Sequence, residues 1–268
     1  MADYDFAKIE KKLSKYLDED RFQHTMGVMY TSACLAMVHG YDIKDAQVSG
    51  LLHDCAKCIP NKKKLKMCSE HNIPVSDFER SHPFLLHSRL GAYIAHEKYG
   101  IDDQEILSAI NYHTTGRREM SLLEKIIYIA DYIEPMRYKA SRLPEIRKLA
   151  FEDLDECMYE ILKDTLEYLE EDSADDIEPT SKEAYIYYKE LHNKRNNVSD
   201  NYHQTETLAL VDGEGSPAVG QWISDDLGFC WHQRLLSRAA FRVAPMHSTG
   251  SVYLSTFSQR APRKGAAS

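Results

Sequence analysis

His53 and Asp54 stand side by side in Leu51-Leu52-His53-Asp54-Cys55-Ala56-Lys57. An imidazole and a carboxylate are metal-ligating groups, and an aspartate buried beside leucines without a partner is costly. Neighbours on a helix point about 100° apart, so such a pair grips metal only where several helices converge on one core. Taken alone, the dipeptide also reads as a satisfied core histidine next to a solvated aspartate. Other polar residues in apolar helical frames weigh against that. His24 lies one turn after Arg21, and His87 heads His87-Ser88-Arg89-Leu90-Gly91-Ala92. His113 ends Ala109-Ile110-Asn111-Tyr112-His113, and Asp131 sits in Ile127-Tyr128-Ile129-Ala130-Asp131. These groups come from five helical segments. That is more core-facing polarity than packing needs, and convergence on metal satisfies all of it together. Imidazole and carboxylate without thiolate suit iron, manganese or zinc.

Helices must carry these side chains. Phe6, Ile9, Leu13 and Leu17 recur at helical spacing over residues 5–17. Asp20 is the expected N-cap of a helix from Arg21 to about His39, with Gly40 as its stop. Asp42 or Asp45 opens the helix that carries His53-Asp54 and ends near Pro60. Asn61 is expected to cap a basic helix whose Lys62-Lys63-Lys64 run reads as a solvated face. Pro74 and Pro83 bracket an irregular stretch. Further helices are predicted over His87–Tyr99, Asp103–His113, Ser121–Ile133, Pro144 to about Glu171, and Ser181–Lys194. No strand alternation interrupts residues 1–196, so the predicted fold is all-α, a helical bundle.

Composition narrows the function. Of 268 residues, 43% are hydrophobic and 28% charged, and the net charge is −9. A general nucleic-acid binder would carry a basic face, so no nucleic-acid partner is expected and an anionic substrate must meet a local basic cluster. No apolar run is long enough to span a membrane, and the acidic start Met1-Ala2-Asp3-Tyr4-Asp5 lacks a signal peptide's core. The expected location is the cytoplasm, with the six cysteines as free thiols. After Asn196 the character changes. Half of the twelve glycines and both tryptophans, Trp222 and Trp231, lie in the last 72 residues, and charge there cancels. Residues 197–268 read as a poorly ordered appendage without a part in the chemistry.

The order His24, His53-Asp54, His87, His113, Asp131 resembles the HD-domain metal-dependent phosphohydrolases. More narrowly, Arg21-Phe22-Gln23-His24-Thr25-Met26-Gly27-Val28, His53-Asp54-Cys55-Ala56-Lys57, His113-Thr114-Thr115-Gly116 and Asp131-Tyr132-Ile133-Glu134-Pro135-Met136-Arg137 are similar to the bacterial YqeK family. Members are symmetrical diadenosine tetraphosphate hydrolases. The resemblance covers about residues 5–195 and implies a centre of one or two ions, iron first, with manganese or zinc as alternatives. One ion would take His24, His53, Asp54 and Asp131. The other would take Asp54, His87 and His113, with Asp54 bridging.

Two ions about 3.5–4 Å apart hold a hydroxide at neutral pH and polarise a phosphoryl oxygen. Lys57, four residues after His53, would reach the bound phosphate. Arg21, Arg89 and Arg137 are candidate phosphate clamps, since guanidinium forks match phosphate oxygens. Thr114, Thr115 and Gly116 could add hydroxyls and backbone N–H groups. Other HD-type chemistry on a nucleoside monophosphate, a deoxynucleoside triphosphate or an alarmone shares this ligand set. So does a low-turnover nucleotide-sensing module, although every ligand and Lys57 are present. A homodimer is compatible with the sequence.

Overall fold

Most of the described helices begin where short polar side chains satisfy free backbone N–H groups. A computed structural model describes residues 4–138, 140, 142–172 and 177–211, with side chains at 171–172 and from 198 onward left aside. All described residues lie in the unit Met1–Gly213. The sequence expectations for Trp222, Trp231 and the rest of the appendage from 212 onward lie outside the described residues. Among the described residues there is no strand, which agrees with the all-α expectation.

In chain order the helices are α1 (Phe6–Leu13), α2 (Glu19–His39), α3 (Ile43–Leu52), α4 (Asn61–Glu70), α5 (Asp77–Ser81) and α6 (Leu86–Tyr99). Then follow α7 (Gln104–Tyr112), α8 (Leu122–Ile133), α9 (Leu143–Ala150), α10 (Leu154–Asp172) and α11 (Pro179–Val211). α2 packs along α3 and α8, and α7 packs against α3, α6 and α8. Leu35, Leu51, Leu90, Ile106, Ile110 and Ile126 are fully buried between them. Each such side chain contributes roughly 1.5–3 kcal/mol by leaving water.

Several boundaries differ from expectation, each for a local reason. Asp18, not Asp20, caps α2: its extended backbone lets the carboxylate accept from Arg21 N at 2.8 Å. Glu19 and Asp20 then occupy the first turn, where the helix dipole favours negative charge. Asn61 opens α4 from inside the helix, and Pro60 holds the cap position without a side-chain bond. The stretch between Pro74 and Pro83 contains α5, begun by a reciprocal capping box between Ser76 and Glu79. The long helix expected from Pro144 is two. Phe151 and Glu152 close α9, and Asp153 accepts from Asp155 N at 2.9 Å and Glu156 N at 3.1 Å to start α10. The last helix begins at Pro179 and runs beyond Lys194 to Val211. Gly40 and Gly100 do end α2 and α6 as stops, with φ of 72° and 71°.

α8 is anchored at its start. Ser121 and Glu124 form a capping box, and the buried Glu124 carboxylate also takes Ser108 Oγ and, at 2.8 Å, the Arg117 guanidinium. That fixes where Asp131 sits two turns later. Among the described cysteines, Cys34, Cys55, Cys58, Cys68 and Cys157 are free thiols, as expected.

Candidate metal centre

Five helices deliver the six expected ligands to one point. His24 comes from α2, His53 and Asp54 from the C-terminal end of α3, His87 from the first turn of α6, His113 from the C-cap of α7, and Asp131 from α8. His24, His53, Asp54, His87 and His113 are buried, and Asp131 is half-buried. Asp54 lies between two groups. Its Oδ2 is 3.5 Å from His53 Nε2 and 3.9 Å from His24 Nε2. Its Oδ1 is 3.2 Å from His87 Nε2 and 3.5 Å from His113 Nε2. Asp131 Oδ1 joins the first group, 3.0 Å from His24 Nε2 and 3.9 Å from His53 Nε2.

The histidine rings are held so that Nε2 faces inward. Nδ1 donates to a backbone carbonyl in three of them: His53 to Gly50 O at 2.6 Å, His87 to Phe84 O at 2.6 Å and His113 to Ile110 O at 2.7 Å. A carbonyl only accepts, so the proton is on Nδ1 and the Nε2 lone pair is left for the centre. His24 Nδ1 meets Glu134 Oε1 at 3.0 Å. His24 Nε2, His53 Nε2 and Asp54 Oδ1 are buried without a hydrogen bond of good geometry. Buried polar atoms are seldom left so. The ligand atoms of His24, His53 and Asp131 lie within 4.8 Å of one another, as do those of His53, Asp54 and His113. A cation among them would satisfy His24 Nε2, His53 Nε2 and Asp54 Oδ1 together, so the donor set fits a metal.

The electrostatics agree. Burial works to raise the Asp54 pKa, but the imidazoles of His53, His113 and His87 outweigh it and hold the carboxyl well below its usual range. Asp131 is likewise held low against burial, by His24, His53 and Arg137. Both are anions at neutral pH. Burial lowers the His87 pKa to about 4, which keeps that ring a neutral ligand. Burial opposes charge on His53 too, yet the adjoining Asp54 carboxylate raises its pKa.

Three cations ring the centre. Arg21 Nη1 lies 2.8 Å from Asp54 Oδ2, and Arg137 Nη2 lies 2.7 Å from Asp131 Oδ1. Lys57 Nζ is 3.1 Å from His87 Nε2 and 3.8 Å from Asp54 Oδ1. It arrives by a turn, because α3 ends at Leu52 and Lys57 N bonds Asp54 O. Thr114 Oγ1 is 3.1 Å from Nε2 of both His87 and His113.

Arg89, Thr115 and Gly116 do not join this group. Arg89 Nε bonds Glu79 Oε1 at 3.1 Å, and with Thr115 it lines a separate cavity of about 30 Å³. The Gly116 N–H is spent on Tyr112 O.

Sequence reasoning missed three residues. Glu134 was only a flank, yet it orients His24; its position three residues after Asp131, at the C-cap of α8, was the available signal. Lys64 is buried, at 3% exposure, with Nζ 3.3 Å from Asn61 Oδ1, whereas Lys62 and Lys63 are exposed as read. Gly27 makes room for Glu134: a Cβ there would stand 2.5 Å from Glu134 Oε2. That carboxylate cannot swing away freely, since Oε1 meets His24 and Oε2 accepts from Met136 N at 2.6 Å. Gly27→Ala should favour the helix by about 0.5–1 kcal/mol yet weaken metal affinity by roughly 10–100-fold. Metal titration beside a thermal melt checks this; unchanged affinity would show that Glu134 does not tune His24.

Helices that bring histidines and a His-Asp pair to one buried centre define an HD domain, and the HD domain family matches residues 21–136. The chain is 40% identical to the symmetrical bis(5'-nucleosyl)-tetraphosphatase of Bacillus subtilis (strain 168), over 59% of this chain and 83% of that one. It is 37% identical to the protein of the same name from Staphylococcus aureus (strain NCTC 8325 / PS 47), over 59% of this chain and 82% of the relative. A crystal structure of a predicted HD superfamily hydrolase involved in NAD metabolism, from Clostridium acetobutylicum, superposes with a TM-score of 0.67 at 38% identity. It covers 70% of this chain and 99% of the other. The chain belongs to the family of symmetrical bis(5'-nucleosyl)-tetraphosphatases, which are HD-domain hydrolases.

Proposed function

We propose that this chain hydrolyses diadenosine tetraphosphate at its middle, giving two ADP, with one or two metal ions at the centre, iron first and manganese or zinc as alternatives. The observation that supports this most is Asp54, whose two oxygens face two separate ligand groups. His24, His53, Asp54 and Asp131 would hold one ion, and Asp54, His87 and His113 the other. When bound, such ions activate water and polarise a phosphoryl oxygen.

The chain's own groups do the rest. Carboxylates kept ionised by burial-resistant partners, and rings fixed through Nδ1, supply a preorganised anionic and neutral donor set. Arg21 and Arg137 lie at the rim and would clamp phosphate oxygens. The Lys57 ammonium, now donating to His87 Nε2, would turn to the phosphate once that lone pair is engaged. Thr114 would donate to a phosphate oxygen. The oxygen of water joins one inner phosphorus and gives its protons up to solvent; the bond from that same phosphorus to the bridging oxygen breaks, and the second ADP leaves as an anion carrying the bridging oxygen. Its terminal phosphate needs charge stabilisation, which Lys57, Arg21 and Arg137 would provide.

A second reading is pyrophosphate cleavage in another nucleotide, favoured by the part in NAD metabolism ascribed to the Clostridium acetobutylicum neighbour. A metal-loaded preparation incubated with diadenosine tetraphosphate, a nicotinamide dinucleotide, a nucleoside monophosphate, a deoxynucleoside triphosphate and an alarmone decides between them. ADP from the first substrate, at the highest kcat/KM of the panel, is the expected result. Preference for any other member would overturn the assignment.

No described helix is long and apolar enough to cross a membrane. Residues 1–196 should suffice for activity. α11 is tied to α10 through His192, 2.6 Å from Glu156, and Arg195, whose guanidinium reaches Asp153 at 2.7 Å and Asp155 at 2.8 Å. Truncation after Asn196 keeps all of these. Helicity per residue and specific activity should stay within about twofold of the full chain, because among the described residues every core side chain and every candidate ligand precedes Asn196. Loss of soluble, active protein would show that residues 197–268 are needed.

A further inference from the structure

We propose that each nucleoside half of one substrate molecule is held in a cavity of its own, on opposite sides of the metal centre, with Met136-Arg137-Tyr138 as the wall between them. This rests on the tetraphosphate reading and adds where the two halves go. One cavity, of about 480 Å³, meets the centre at His113 and Asp131 and is also lined by Lys57, Thr114 and Tyr132. The other, of about 400 Å³, meets it at His24 and is lined by Asp20, Arg21 and Gln23. Met136, Arg137 and Tyr138 line both. Each volume is in the range of sites that enclose a small organic ligand, about 300–1,000 Å³.

The wall is built to be leaned on. Arg147 pins its backbone by donating to Ile133 O and Glu134 O at 2.9 Å and to Arg137 O at 2.8 Å. Glu134 takes Met136 N, and Arg137 is tied to Asp131. On this fixed segment Met136 and Tyr138 are 60% and 80% exposed. A flat ring and a thioether so displayed offer apolar contact to a base on either side.

The cations follow the same division. Lys57 belongs to the first cavity, Arg21 to the second, and Arg137 to both. One cation per side and one at the middle match a four-phosphate chain whose halves are equivalent. With a nucleoside seated at each end, the bond between the two inner phosphates falls at the centre, which accounts for symmetrical cleavage.

The test compares diadenosine tetraphosphate with adenosine 5'-tetraphosphate, which has the same phosphates and one nucleoside, on the metal-loaded full chain. In the wild type, kcat/KM for the one-nucleoside compound should be lower by about tenfold or more, since remote binding energy is lost. Gln23→Trp and, separately, Asp20→Trp place a large side chain in the second cavity from exposed helix positions. Each should bring the ratio of the two kcat/KM values down toward one, chiefly by loss with the dinucleoside. Continued turnover of the one-nucleoside compound reports an intact centre. A wild-type ratio near one, or a ratio that neither variant moves, would overturn the two-cavity arrangement while leaving the tetraphosphatase reading in place. No ADP from either substrate with the wild type would overturn both.

Discussion

Asp54→Ala should lose both its metal and its activity. The carboxylate is 1% exposed, with Oδ2 toward His24 and His53 and Oδ1 toward His87 and His113. Removing it takes a charged ligand from both groups at once and leaves Arg21 Nη1 without its partner. Water activation and phosphoryl polarisation are each worth several kcal/mol, so the rate should fall by roughly 10³-fold or more. Leu51, Leu52 and the core around them are untouched, and the far-ultraviolet circular dichroism should stay that of a helical protein. Metal analysis beside the assay separates the causes. Full occupancy in Asp54→Ala would show that the carboxylate does not bridge.

Lys57→Ala should give the opposite pattern, metal retained and rate lost. The side chain is about one-third exposed and borders the larger cavity, with Nζ near His87 Nε2 and Asp54 Oδ1. It is not among the atoms that orient the ligands, since each ring is held through Nδ1. A cation aimed at developing phosphate charge supplies transition-state stabilisation, so kcat should drop by roughly 10²-fold or more. KM should change less. Lys57→Arg should recover little, because a planar fork does not replace a compact ammonium at a fixed point. Unchanged kcat in Lys57→Ala would make it a surface lysine.

The convergence of the six candidate ligands was legible in the sequence because each is a polar residue in an apolar helical frame, and buried polar residues need partners. The all-α architecture followed from unbroken helical spacing. What stayed hidden depended on direction and on local competition. Arg89 is two residues after His87, about 200° around the helix, and so faces Glu79 rather than the centre. Asp18 and Asp20 are equally good caps by type; only the extended backbone of Asp18 decides between them. Asp153 is a polar residue inside an amphipathic pattern, and its side chain wins two backbone N–H groups that a continuous helix would have used. Lys64 belongs to a basic run, but three successive residues on a helix cannot share one face, so one of them turns inward. The fit of Glu134 over Gly27 and against His24 is a relation visible once α2 and α8 are packed.

The direct measurement is hydrolysis of diadenosine tetraphosphate in ¹⁸O-labelled water with products resolved by mass. Attack at an inner phosphorus and departure of ADP require ADP as the main product, with label in one of the two molecules formed per turnover. Recovery of ATP and AMP instead would contradict symmetrical cleavage at this centre.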